Sequence, residues 1–220
     1  MFLVSVVNSK GGCGKTTLST HLAARYAGQG HRCVLGDLDR QQSAIEWVER
    51  RPPSLPMIEA LALDIDAMAL PFDEGRMVID VPAGMKRKAL EIVVRASDAL
   101  VVPLLPSVFD ERGTARFLDV LNELKPIRKG RRPVAIVANR VRTNSAAARQ
   151  LNTFLEGLEI PTVARLSDAQ HYVAAAGSGI TFFDLPASRG KGPRAEWAPL
   201  LAFLDALSDV QDLAEGSATG

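Results

Sequence analysis

The segment Asn8–Thr17 reads Asn-Ser-Lys-Gly-Gly-Cys-Gly-Lys-Thr-Thr, between an apolar run at Phe2–Val7 and a segment of helical periodicity that starts at Leu18. A strand therefore empties into a glycine-rich turn that opens a helix. Such a turn aims several backbone N–H groups and a helix N-terminus at one point, which suits a phosphate chain. Lys15 adds a positive charge there, and the Thr16 hydroxyl is a ligand for the Mg²⁺ that accompanies a nucleoside triphosphate. A surface loop that is merely rich in glycine and lysine would not need a strand and a helix on its two sides.

The common phosphate-loop pattern G-x-x-x-x-G-K-[ST] asks for glycine five residues before Gly14, and that position is Ser9. A second lysine, Lys10, stands ahead of the glycines instead. Lys-Gly-Gly-x-Gly-Lys-Thr-Thr resembles the deviant Walker A box of the ParA/MinD family of ATPases. The resemblance implies an α/β P-loop NTPase fold, a doubly wound and mainly parallel sheet with helices on both faces. It also implies ATP and Mg²⁺, with Gly11, Gly12, Cys13, Gly14, Lys15, Thr16 and Thr17 around the phosphates and Lys10 reaching across a dimer interface to the partner's nucleotide.

Two further stretches extend it. Asp37-Leu38-Asp39-Arg40-Gln41-Gln42 follows a short apolar strand, Arg32–Gly36. A pair of acids at a strand end either caps the next helix or faces the ligand edge of a parallel sheet. It resembles the family's second box, Asp-x-Asp-Pro-Gln-Gly, which implies Asp39 as the residue orienting the attacking water and Asp37 near Mg²⁺. Arg40 and Gln42 replace the family's Pro and Gly. Met77–Asp80 is an apolar strand ending in aspartate, the Walker B arrangement in which the carboxylate holds Mg²⁺ through water. Gly84, just beyond, leaves its amide free to meet the γ-phosphate. The catalytic set is then Lys10, Lys15 and Asp39, and the metal set Thr16, Asp37 and Asp80.

Of the 220 residues 47% are apolar, enough for a full core, and 26 basic against 25 acidic residues give a formal charge of +1. Net charge thus gives no footprint for a polyanion, but its distribution allows a local basic face: Lys125 to Arg149 holds eight basic residues and no acidic one, while the tail after Glu196 is acidic. No apolar window of about eighteen residues occurs, which argues for a cytoplasmic location without a membrane partner. Residues after Val210 are acidic and small, unlike a membrane-targeting tail. Cys13 and Cys33 have no spacing for a disulfide framework, zinc or an iron–sulfur cluster, which argues against a nitrogenase-type reductase on the same scaffold.

Along the rest of the chain the pattern predicts a helix at Ser43–Arg50, a strand at Pro56–Leu61, a brief helical turn within Ala62–Gly75, a helix at Lys86–Arg95 and a strand at Ala99–Leu105. Ser107-x-x-Asp110 resembles an N-terminal capping signal for the helix carrying Phe117, Leu118, Leu121 and Leu124. A strand at Pro133–Ala138 delivers Asn139, which is either a turn asparagine or, by the resemblance, the adenine contact. Thr143 or Asn144 would cap the next helix, a strand follows at Pro161–Leu166, and a helix at Ser167–Gly177. Gly179–Asp184 fits a strand-like segment, Ser188–Arg194 a basic linker or anion-gripping loop, and Ala195–Val210 the closing helix. Residues 1–212 read as one ATPase domain and 213–220 as a frayed tail, with no helix-turn-helix before the first strand.

The resemblance implies an ATP-dependent homodimer that binds non-specific DNA on the nucleoid, answers to an adaptor protein that stimulates hydrolysis, and positions or partitions a cargo: a plasmid, a chromosome locus, or an assembly such as a carboxysome or chemotaxis cluster. Arg140, Arg142, Arg149, Arg165, Arg189, Lys191 and Arg194 are the candidates for phosphate contacts, with a solvated basic face as the alternative. The rival function is a metabolic ATP-dependent ligase of the dethiobiotin synthetase kind.

Overall fold

A computed structural model describes residues 1–67 and 74–218. Among these described residues seven strands form one sheet in the order β3-β2-β4-β1-β5-β6-β7, and each pairing is parallel. They are β1 (Phe2–Val6), β2 (Cys33–Asp37), β3 (Glu59–Ala62), β4 (Arg76–Asp80), β5 (Ala99–Leu104), β6 (Val134–Val141) and β7 (Thr162–Ser167). Parallel strands require crossovers that cover both faces, so the central strands are buried throughout and mostly apolar. On β1, Phe2, Val4 and Val6 pack into one core layer and Leu3 into the other. The first layer is closed by α1 (Lys15–Gly28), α2 (Ser43–Glu49) and α8 (Ala187–Ala218), the second by α3 (Arg87–Ala96), α4 (Val108–Glu123), α5 (Lys125–Arg128) and α6 (Ala146–Glu156). Because β1 lies between β4 and β5, the chain reverses direction across the sheet there. Its C-terminal end is the crevice where such sheets take ligands.

Several boundaries differ from the sequence reading. Only Ile65–Ala67 forms the helical turn expected within Ala62–Gly75, and residues 68–73 lie outside those described. Ser107 makes no side-chain cap, whereas Ser145, rather than Thr143 or Asn144, accepts the N–H of Ala148 at the start of α6. Gly179–Asp184 is a turn after α7 (Gln170–Ser178) and not a strand. The basic stretch Ser188–Arg194 is neither linker nor loop but the opening of α8, which continues through Ala218, past the boundary expected at 212. Trp197, Leu200 and Leu204 are fully buried along α8, and this burial outweighs the cost of Pro193 and Pro199 within it.

The post-α7 turn is fastened by a buried ion pair. Arg51 donates through both guanidinium nitrogens to Asp184, at 3.0 and 2.6 Å, and the two side chains are 4% and 3% exposed. Burial alone would raise the Asp184 pKa, but hydrogen bonds from Arg51 and Thr181 outweigh it and leave the group below its usual range. Breaking one side of such a pair strands a buried charge. Arg51→Ala should therefore lower stability to denaturant by about 3 to 5 kcal/mol, while Arg95→Ala, which removes an exposed i,i+4 pair with Glu91, should cost less than about 0.5 kcal/mol.

Candidate functional site

The loop after β1 winds through two left-handed glycines, Gly12 at φ 73° and Gly14 at φ 100°, and Gly14 caps α1. Lys15 Nζ and Cys13 Sγ both donate to the Lys10 carbonyl, at 2.9 and 3.3 Å, closing the loop on itself. Two buried asparagines hold it from either side. Asn8 donates to the Pro103 carbonyl at the end of β5 (2.7 Å) and to Thr114 Oγ1 on α4 (3.0 Å), and accepts the Lys10 N–H (3.2 Å). Asn139 donates to the Cys13 carbonyl at 2.9 Å and accepts the Arg140 N–H at 3.0 Å. A Cβ at Gly14 would overlap the Asn139 amide, so glycine is required there by close approach as well as by φ. Asn139, a candidate for either the adenine contact or a turn asparagine, holds the loop itself through this bond. Burial pushes the Cys13 thiol pKa up despite nearby Lys15, which fits packing and not redox chemistry.

The acids arrive from neighbouring strands in register, with Asp37 beside Asp80. Thr16 Oγ1 donates to Asp80 Oδ2 at 2.5 Å and Ser19 Oγ to Oδ1 at 3.3 Å. Burial, reinforced by Asp37, raises the Asp80 pKa to about 7 against these hydrogen bonds and the charge of Lys15. Asp37 accepts the N–H of Asp39 at 2.8 Å and of Ala44, in the first turn of α2, at 2.9 Å, and burial raises its pKa against these bonds. Asp39 is half-exposed and lines a cleft of about 400 Å³ together with Gly11, Gly12, Gly14, Lys15, Thr16, Thr17 and Asp80. Gln41 and Ser43 also line it, two residues that the sequence reading did not single out. Gln42 takes φ 53° where the family pattern has glycine, so the left-handed turn persists under local strain. A larger groove, about 510 Å³ between Arg128 and Pro161, lies at the opposite end of the sheet and lacks these phosphate-facing groups.

Of the basic candidates, Arg149 and Arg165 line one groove of about 420 Å³, whereas Arg140 and Arg194 lie elsewhere. Arg140, at φ 52° beside an irregularity in β6–β7 pairing, lines the phosphate cleft. Arg142 pairs with Asp168 at 2.7 Å, Arg165 donates to Asn152, and Arg149 donates to the Asn144 carbonyl. Arg194 is turned inward onto the carbonyls of Phe182, Phe183 and Leu185, which removes it from the candidates for an external anion. Arg189 and Lys191 remain exposed on α8. The basic run from Lys125 to Arg149 is divided by the buried part of β6, which puts Arg132 and Arg140 toward opposite ends of that strand.

A family model described as the CobQ/CobB/MinD/ParA nucleotide binding domain matches residues 4–182. The chain is similar to two proteins named maintenance of carboxysome distribution protein A. One, from Halothiobacillus neapolitanus, is 27% identical over 89% of this chain and 92% of its own length. The other, from Gloeobacter kilaueensis, is 36% identical over 49% of this chain and 51% of its own, so that match spans about half of the relative. Among solved structures, Cyanothece McdA without nucleotide aligns with TM-score 0.70 at 14% identity, covering 94% of this chain and 99% of that one, a likeness of fold.

Protonation of Asp80 couples folding to pH. The folded carboxyl holds its proton up to about pH 7, the unfolded one only to about 3.9, so stability falls as pH rises across that window and is level above it. Asp80→Asn should flatten this decline, by an amount on the order of a few kcal/mol, in thermal unfolding followed from pH 4 to 8.

Proposed function

The chain belongs to the CobQ/CobB/MinD/ParA nucleotide-binding family, and from that premise we propose that it is an ATP-dependent dimerisation switch that positions or partitions a cargo. The observation that carries the reading is Lys10, the extra lysine of the loop, on the same cleft-forming segment that presents Lys15 and Thr16 beside Asp39 and Asp80. Loop amides and Lys15 bind the phosphate chain of ATP, and Asp39 orients a water against the γ-phosphorus. As the bond from water oxygen to phosphorus forms, the bond from phosphorus to the β–γ bridging oxygen breaks, releasing ADP and phosphate. Lys10 of a second copy neutralises charge developing on that oxygen, so hydrolysis and association become one event.

A hydroxyl and a carboxyl 2.5 Å apart are hard oxygen donors of the kind Mg²⁺ accepts. Thr16 would hold the ion directly and Asp80 through water, with Asp37 behind them. When bound, Mg²⁺ supplies charge neutralisation on the phosphate oxygens. Gly84, at φ 68° beyond β4, is the reporter of the γ-phosphate. Arg140, placed in the cleft, joins the nucleotide-facing groups in place of the DNA candidates.

The proposed ATP dimer binds duplex DNA without sequence preference through Arg142, Arg149, Arg165, Arg189 and Lys191, in the cytoplasm on the nucleoid, and an adaptor protein stimulates its hydrolysis. The names of the two curated relatives favour a carboxysome as cargo over a plasmid. Residues 1–212 are the working ATPase unit in this reading. Among the described residues no helix is long and apolar enough to cross a membrane. A ligase on the same scaffold would need neither Lys10 nor DNA, and is the less favoured reading.

Binding to random duplex DNA should require ATP and weaken by about a thousandfold or more between 50 and 200 mM salt if six or more phosphates are contacted. Turnover of a small carboxylate or amine without DNA binding would favour the ligase. Asp39→Ala should retain the ATP-dependent dimer in sedimentation while losing hydrolysis by about a hundredfold or more.

A further inference from the structure

Gly113, in the middle of α4, lies under the side chain of Lys10. A Cβ built there would overlap Lys10 Cε, with Nζ at 3.0 Å and Cδ at 3.1 Å. Glycine is a poor residue for the interior of a 16-residue helix, since it gives up the most backbone freedom on folding. The next residue ties the same strip of helix to the same loop: Thr114 accepts from Asn8, and Asn8 accepts from Lys10 N. Asp110 lies one turn earlier on that face, close enough for its charge to act on Cys13. The atoms in the way are the flexible far end of half-exposed Lys10, so that side chain lies along its own chain, in a channel left open by the missing side chain at 113, and a methyl group there would displace it at little cost.

We propose that Gly113 is a positioning residue for Lys10: it is the seat on which Lys10 rests in the single chain, and Lys10 leaves it to reach the nucleotide of a second copy. This inference rests on the trans role of Lys10 proposed above. Whatever holds Lys10 in cis opposes dimerisation, because a state that must be vacated before binding lowers the apparent affinity by its population. The loop thus carries a brake on premature pairing, made by an absent methyl group on another helix.

The test is Gly113→Ala, alone and combined with Lys10→Ala, read by amine labelling of Lys10 in nucleotide-free protein, by thermal unfolding and by ATP-dependent dimerisation. Labelling of Lys10 should rise several-fold in Gly113→Ala with the other lysines unchanged, and its dimer should form at several-fold lower protein concentration. In the Lys10→Ala background the alanine at 113 should raise the unfolding temperature, since nothing then occupies the channel and alanine favours the helix. If Gly113→Ala alone does not fold, recovery of folding in the double variant supports the seat and persistent misfolding contradicts it. Unchanged labelling, or an equal fall in unfolding temperature with and without Lys10, overturns the proposal. Faster labelling with unchanged dimerisation, in a protein whose Lys10→Ala variant no longer dimerises, overturns the brake and leaves the trans role standing. If Lys10→Ala dimerises like the parent, the trans role fails and the labelling still reads the seat.

Discussion

The hydrogen bond from Asn139 to the Cys13 carbonyl, matched across the loop by Asn8 on Pro103 and Thr114, is the constraint on which the site depends. A turn with two left-handed glycines has little preference of its own for one shape. Pinned at both ends to strands β5 and β6, it becomes part of the sheet edge, and its amides face one place without further ordering. Preorganised donors of this kind are worth more to a charged transition state than donors that must first be arranged. Gly14 completes the arrangement by letting the Asn139 amide approach a distance that any side chain would forbid.

Much of this was legible in the sequence where the cause is local. Strands β1, β4 and β5 read as mainly apolar runs because a parallel sheet covered on both faces leaves no polar side. The glycine loop, the acids at the ends of β2 and β4, and the order in which they occur follow from what phosphate and metal chemistry needs at a strand edge. Partners distant in sequence were not legible. Nothing around Asn139 announces Cys13, 126 residues away, and nothing around Gly113 announces Lys10. Local signals also misled at Ser188–Arg194, where two glycines and a proline read as a loop. Gly190 is there because a Cβ would press on the Phe182 carbonyl at 2.8 Å, and Arg194 because three carbonyls at the end of the preceding turn need a donor. In both cases a close approach between elements, which sequence does not display, decided the residue.

The aromatic cluster under α1 shows how firmly the loop's helix is seated. His21 is fully enclosed by Tyr172, Phe182 and Trp197, its Nδ1 paired with the Thr17 carbonyl, and burial lowers its pKa to about 4. It is therefore neutral near pH 7 and part of the packing. Helix α1 is consequently a fixed anchor on one side of the cleft, whereas Asp39, in the cleft, and Lys10, over α4, stand half-exposed. A second copy can reach these two groups and not the enclosed ones.

The central claim is that Asp39 serves the nucleotide of its own chain while Lys10 serves that of the partner. Mixing a Lys10→Ala protein with an Asp39→Ala protein tests this directly, each being inactive alone. In a mixed dimer the Lys10→Ala chain keeps its own Asp39 and receives Lys10 from its partner, so one of the two sites is whole. The account predicts ATP hydrolysis returning on mixing, up to about half the parent activity per dimer; a mixture as inactive as its components would contradict it.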